Sequence, residues 1–279
     1  MNLIGIDLDG TLLNLEQKIS HKNAASLKSL SSDCFPFICS GREVGDIQAI
    51  LKEADLAIPA VGLNGAIGYD QDKLIFDFPF DPQAVKEVSQ IVSAFPTKIY
   101  TNQGSYESQN YQEEMKNIFY AIGQEFPVEE LNYELDYENT IQSTAYDAIE
   151  EIINQKNINV YKLFVFVPNR EIKKELFPQI ENIPNVSVTE SAAVNLGIVP
   201  RSVSKGFVFD HLSRIYELDQ PTKFAIGDSL NDLEMFKNAD ISFAMANGHP
   251  AIKELADHVT VSNDEDGVSQ ALTMIKGTR

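Results

Sequence analysis

Short apolar runs alternate with helically spaced segments over the first part of the chain. Residues Asn2–Ile6 are apolar from Leu3 onward and predict a buried strand, and Ser20 is placed to cap a helix running to about Leu30. Cys34–Cys39 predicts a second strand ending in Ser40-Gly41-Arg42, with a helix to about Glu53 behind it. Residues 59–63 predict a short strand broken by Asn64-Gly65, a hairpin signal, with a returning strand over 74–78. The last third alternates more regularly, with helices over 206–218, 231–238, 250–256 and 267–275 and strands over 223–226, 241–245 and 258–261.

Strands separated by helices imply right-handed crossovers and a mostly parallel sheet, with ligand-binding loops at the strands' C-terminal ends. The middle of the chain has a different texture. It carries acidic helical stretches (82–94, 111–124, 147–155) and strand-like pieces (98–101, 160–167, Val186–Thr189), with Pro79, Pro82, Pro178 and Pro184 punctuating both ends. The fold class expected is therefore α/β: a Rossmann-like, mostly parallel core over 1–80 and 190–279, with an inserted α/β domain over 81–189. A length of 279 residues suits two modest domains or one large one, and 43% hydrophobic residues supply their cores.

Charge narrows the function classes. A net charge of −19 argues against nucleic acid and anionic membranes as partners, since both require a basic footprint. A small anionic ligand remains compatible if one site reverses the field locally. Between Glu107 and Glu151 twelve acidic residues face one base, Lys116, which marks a solvated face. No apolar run is long enough to cross a bilayer, and the N-terminus lacks a basic lead-in. Cys34 and Cys39 fall on opposite faces of one predicted strand, a poor geometry for a disulfide. A reduced cytoplasmic protein is expected.

The first strand poses a problem of charge. Asp7 and Asp9 follow it two apart and would share a face of an extended segment, where like charges raise each other's pKa unless a cation neutralises them. Four short stretches lie just after predicted strands or open a helix: "DLDGT" (7–11), "SGR" (40–42), "SKG" (204–206) and "GDSLND" (227–232). Each alone has an ordinary reading. Ser40 could be a helix cap, Lys205 a solvated base, and Asp228 or Ser229 the cap of the next helix.

Together, their order and spacing resemble the haloacid dehalogenase-like (HAD) hydrolase superfamily, and most closely its Cof-type branch, which carries an α/β cap between the second and third motifs. The resemblance runs nearly end to end and includes "LNGA" (63–66) and "AMANGHPAIKELADHVTVSNDEDGV" (244–268). Ser40 stands where threonine is commoner in the branch, and Arg201-Ser202 where a basic residue followed by glycine is more usual.

The resemblance implies a Mg²⁺-dependent phosphatase acting on small phosphate monoesters, such as sugar phosphates or phosphorylated cofactors, through an aspartyl-phosphate. Asp7 would be the nucleophile and Asp9 the acid and then the base, so that one carboxylate stays ionised while its neighbour holds a proton. Mg²⁺ would take the Asp7 carboxylate, the Asp9 backbone carbonyl and the Asp228 carboxylate, with Asp232 orienting a metal-bound water. Ser40, Gly41 and Asn231 would bind phosphate oxygens, and Lys205 would pair with Asp7 and the transferring group.

A phosphohexomutase of the same fold is the alternative enzyme. It would hold a second phosphate on the cap, yet Arg170 is the single arginine between Asp81 and Glu190, with Lys173 and Lys174 as substitutes. A non-catalytic phosphometabolite sensor is the alternative outside enzymology, against which Asp7, Asp9 and Lys205 are all present. The four histidines (21, 211, 249, 258) lack metal-ligand spacing. "YTNQGSYESQNY" (100–111) reads as a cap strand and turn before a sugar-binding surface. A monomer or weak homo-oligomer is expected.

Overall fold

The computed structural model describes residues 1–122, 142–189 and 194–277. Two compact units emerge, one from Met1–Asp77 with Val203–Arg279 and the other from Phe78–Ser202. The first begins with β1 (Asn2–Ile6), β2 (Cys34–Cys39), β3 (Ala60–Gly62), β4 (Ile67–Asp70) and β5 (Lys73–Asp77). The hairpin signal at Asn64-Gly65 is real, but it joins β3 to β4, a strand the sequence pattern did not reveal, and the expected returning strand is the next one out. Leu63, Asn64 and Gly65 all take positive φ there, the conformation that asparagine and glycine tolerate best.

Among the described residues, the second unit holds a six-stranded sheet built from β6 (Thr97–Thr101), β7 (Gly104–Ser108), β8 (Ser143–Tyr146), β9 (Val160–Phe166), β10 (Val186–Thr189) and β11 (Asn195–Pro200). Its order is β10-β11-β9-β6-β7-β8, antiparallel except for β7 with β8. The "YTNQGSYESQNY" stretch is the β6–β7 hairpin and the start of helix Tyr111–Ile122. Two elements here differ from the sequence pattern. Helix Arg170–Glu181 forms although Pro178 lies within it, started by Asn169, whose side chain accepts from the Ile172 N–H at 2.9 Å. β11 pairs with both β10 and β9, so the chain leaves this unit at Ser202 rather than at 189/190. The end of the expected helix over 111–124, the middle of the acidic stretch and Glu190 lie outside the described residues.

The chain then completes the first sheet with β12 (Thr222–Gly227), β13 (Ile241–Ala244) and β14 (His258–Val259), giving the order β14-β13-β12-β1-β2-β3-β4-β5. Every pairing from β14 to β3 is parallel, and the last two are antiparallel. β1 lies at the centre, paired with β12 and β2. Leu3 joins Phe37, Cys39, Val208, Phe209 and Leu212 in one buried layer, with the Phe37 and Phe209 rings edge to face at 5.4 Å. Ile4 and Ile6 point to the opposite face and are equally buried. Parallel strands end on the same side of a sheet, so β1, β2 and β12 deliver Asp7, Ser40 and Asp228 to one edge.

Candidate active site

Asp7 continues β1 by one extended residue, its N–H donating to the Ile226 carbonyl at 2.9 Å. The chain then makes one wide turn, closed by the Leu13 N–H on the Leu8 carbonyl at 2.9 Å. Gly10 takes φ 72° in it, and a Cβ there would lie 2.5 Å from the Asp228 carboxylate. The turn separates the two acids. Asp7 meets Lys205, whose Nζ is 2.5 Å from its Oδ1. Asp9 instead meets Arg42, whose Nε lies 2.9 and 3.1 Å from the two carboxylate oxygens and whose Nη2 lies 2.5 Å from Oδ1. The cation missing from the sequence argument is thus, in part, two protein side chains.

Lys205 is fully buried just before helix Phe207–Ile215. Its Nζ also donates to Asp232 Oδ1 at 2.7 Å and to Asn231 Oδ1 at 3.2 Å. The other Asp232 oxygen accepts the N–H groups of Asp228 and Ser229 at 3.0 Å each, and Ser229 returns the bond in a capping box. Asp232 therefore holds the Asp228 loop in shape and fixes the lysine. Thr11 Oγ1 donates to Asp228 Oδ1 at 2.8 Å. Ser40 is buried at the end of β2, where its Oγ accepts the Arg42 N–H at 3.2 Å. Gly41 packs against the Asn64 side chain.

Asp7, Ser40, Gly41, Lys205, Asn231, Asp228 and Asp232 all belong to the first unit, as does Asp9. Arg42, bonded to Asp9, is the charged side chain at this edge to which the sequence analysis gives no role. Its signal was position: it directly follows Ser40-Gly41 at the sheet edge. Asn247 and Asn263 also went unnoticed. The Asn247 amide donates to the Gly10 carbonyl, and that of Asn263 to the Leu13 carbonyl, each at 2.8 Å, pinning the turn from the C-terminal segment. His249 caps helix Pro250–Leu255 through Nδ1, an ordinary structural role.

The electrostatics are those of a site short of positive charge. Asp7, Asp228 and Asp232 bring carboxylate oxygens within 4.8 Å of one another around a single lysine. Burial, then the charges of Asp232 and Asp228, push Asp7 well above the usual carboxylate range, against the pull of Lys205. The expected readily ionised Asp7 thus needs help beyond the lysine. Burial and Asp232 likewise push Asp228 up to about 7. Burial by itself would pull Lys205 down, but the Asp232 and Asp7 charges hold it above the ordinary lysine value. All-oxygen donors with surplus negative charge suit a hard divalent cation.

A titration prediction arises here. A carboxyl whose folded pKa is raised stabilises the protein below its unfolded pKa and loses that contribution as pH rises through the folded value. In EDTA, the melting temperature should fall between pH 6.5 and 8 as Asp228 ionises, and millimolar Mg²⁺ should recover more at pH 8 than at 6.5. The window sits above the range of His211, whose pKa burial lowers and whose slope is opposite. A flat or rising profile in EDTA would contradict this account of the carboxylates.

The family model described as haloacid dehalogenase-like hydrolase matches residues 4–272. The chain belongs to this family. The hydrolase is 30% identical, over 96% of both chains, to the 5-amino-6-(5-phospho-D-ribitylamino)uracil phosphatase YwtE of Bacillus subtilis. It is 26% identical to the phosphatase YwpJ of the same bacterium, over 98% of this chain and 99% of the relative. A solved haloacid dehalogenase-like hydrolase from B. subtilis superposes with a TM-score of 0.84 at 26% identity, covering 98% of this chain and 99% of that one. This hydrolase is an enzyme of the phosphatase type. Among its described residues, no helix is long and apolar enough to cross a membrane.

Proposed function

We propose that this hydrolase is a Mg²⁺-dependent phosphatase that cleaves small phosphate monoesters through an aspartyl-phosphate on Asp7. The observation that carries the proposal is the buried Lys205, bonded to Asp7 and Asp232 beside a third carboxylate, Asp228. Asp7 and Asp228, with the Asp9 backbone carbonyl, would hold the metal. When bound, it supplies positive charge to the carboxylates and the phosphoryl group.

The Asp7 carboxylate attacks phosphorus as the P–O bond to the leaving group breaks, and Asp9 gives its proton to the departing alkoxide. Asp9 then takes a proton from the water that attacks the phosphoenzyme, the P–O bond to Asp7 breaks, and inorganic phosphate leaves. Lys205 keeps Asp7 aligned and bears part of the charge developing on the phosphoryl oxygens, beside Ser40, the Gly41 N–H and Asn231. Asp232 acts by holding Lys205 and the Asp228 loop. Every group in this scheme belongs to the first unit.

The test is phosphate release from a panel of phosphorylated metabolites with Mg²⁺ or with EDTA. The panel should include sugar phosphates and 5-amino-6-(5-phospho-D-ribitylamino)uracil, the substrate that the name of YwtE gives for that relative. Metal-dependent release from at least one monoester is expected. No release from any compound, by protein that binds Mg²⁺, would reject the proposal.

A further inference from the structure

We propose that Arg42 is the positioning residue that orients the Asp9 carboxyl for proton transfer to the leaving group, and that Gln17 anchors Arg42 from the far side. The proposal rests on the phosphatase reading above, which gives Asp9 its proton-transfer role but assigns nothing to Arg42 or Gln17.

Three N–H···O contacts from one guanidinium lie on both oxygens of Asp9, so rotating the carboxyl would strain all three together. The Arg42 side chain is 12% exposed and that of Asp9 31%, so the pair is only partly screened by water. Both ends of the relay are fixed. The Arg42 main chain is held on one side by Ser40 Oγ and on the other by the Leu63 N–H, which donates to the Arg42 carbonyl at 2.9 Å. Its Nη2 also donates to Gln17 Oε1 at 2.7 Å. Gln17, at φ 59°, sits in a turn closed by its N–H on the Asn14 carbonyl and bracketed by the Leu13–Ile19 bridge. Asn14 Oδ1 accepts the N–H groups of Glu16 and Lys18 in the same turn.

Chemistry separates the roles of the two residues. A guanidinium does not deprotonate in proteins, so Arg42 is not the acid. Each carboxyl oxygen has two lone-pair directions, so a bond from Arg42 to an oxygen still leaves that oxygen a direction for the proton. What the fork adds is a fixed plane. A general acid works only when its proton points along the line to the departing oxygen.

The test compares kcat/KM for glycerol 1-phosphate with that for p-nitrophenyl phosphate, in Mg²⁺. This ratio reports on steps through P–O cleavage, where an alkoxide needs a proton and a nitrophenolate does not. For Arg42→Lys and Arg42→Met the alkyl-to-aryl ratio should fall by about tenfold, a part of what a general acid contributes. The fall should vanish in an Asp9→Asn background, as required of a residue acting through Asp9. Equal losses on both substrates would overturn the proposal in favour of direct contact with the phosphoryl group. An unchanged ratio, or a fall that persists without the Asp9 carboxyl, would overturn it as well. Should the Arg42 variants fail to fold, Gln17→Ala at an exposed position should lower the ratio about two- to threefold, and no change there would refute the relay. If wild-type protein releases phosphate from neither substrate nor from any member of the panel, the phosphatase reading falls and this assignment falls with it.

Discussion

Asp7→Asn should reduce phosphate release by at least about 10³-fold, the scale on which removing a nucleophile acts, while leaving the protein no less stable. The reason for the first effect is chemical: an amide does not displace an alkoxide from phosphorus. The reason for the second is electrostatic. The Asp7 carboxyl is buried, and Asp232 and Asp228 both repel its charge. An isosteric amide removes that repulsion and leaves Lys205 its bond to Asp232. Measured in EDTA at pH 7.5, the melting temperature of the variant should therefore equal or exceed that of wild type. Activity within tenfold of wild type would remove Asp7 from the nucleophile's place. A large drop in melting temperature would mean that the Lys205–Asp7 bond matters more to the fold than the repulsion around it.

Lys205→Met should have the largest effect on stability. Methionine fills much of the same space but supplies no charge, leaving Asp7, Asp228 and Asp232 facing one another without their buried cation. Removing one partner of a buried ion pair typically costs about 3–5 kcal/mol. Part of that cost is recoverable, because burial raises the pKa of both Asp7 and Asp228, which can take up protons and neutralise themselves as pH falls. The loss should thus be smaller at pH 6 than at pH 8, as read by urea denaturation in EDTA. Phosphate release should fall by at least about 10³-fold, with an electrostatic stabiliser of the transferring group gone. A destabilisation below about 1 kcal/mol at pH 8 would show that the carboxylates find other compensation and would weaken the case for a metal as their natural partner.

Much of this enzyme is legible in its sequence. Apolar runs located β1, β2, β12 and β13, because a strand buried on both faces must be nearly continuous in apolar residues. The alternation with helices implied a parallel sheet, and a parallel sheet gathers its loops at one edge, which brought Asp7, Ser40 and Asp228 into one region on paper. Where local pattern was weak, the reading stopped short. β4 is four residues long, β11 carries a glycine and ends in a proline, and helix Arg170–Glu181 keeps Pro178 inside it. Propensity argued against the last two, and sheet pairing or helix packing overrode it.

The sequence by itself determined the strand order's raw material, the identity of the acids and the lysine, and the family to which they belong. Only the tertiary structure decided how the charges pair. Arg42 reaches Asp9 across 33 positions, Thr11 reaches Asp228 across 217, and Asn263 reaches the Leu13 carbonyl across 250. No periodicity encodes such contacts. The wide turn after β1 sends two acids only two positions apart, Asp7 and Asp9, to two different cations.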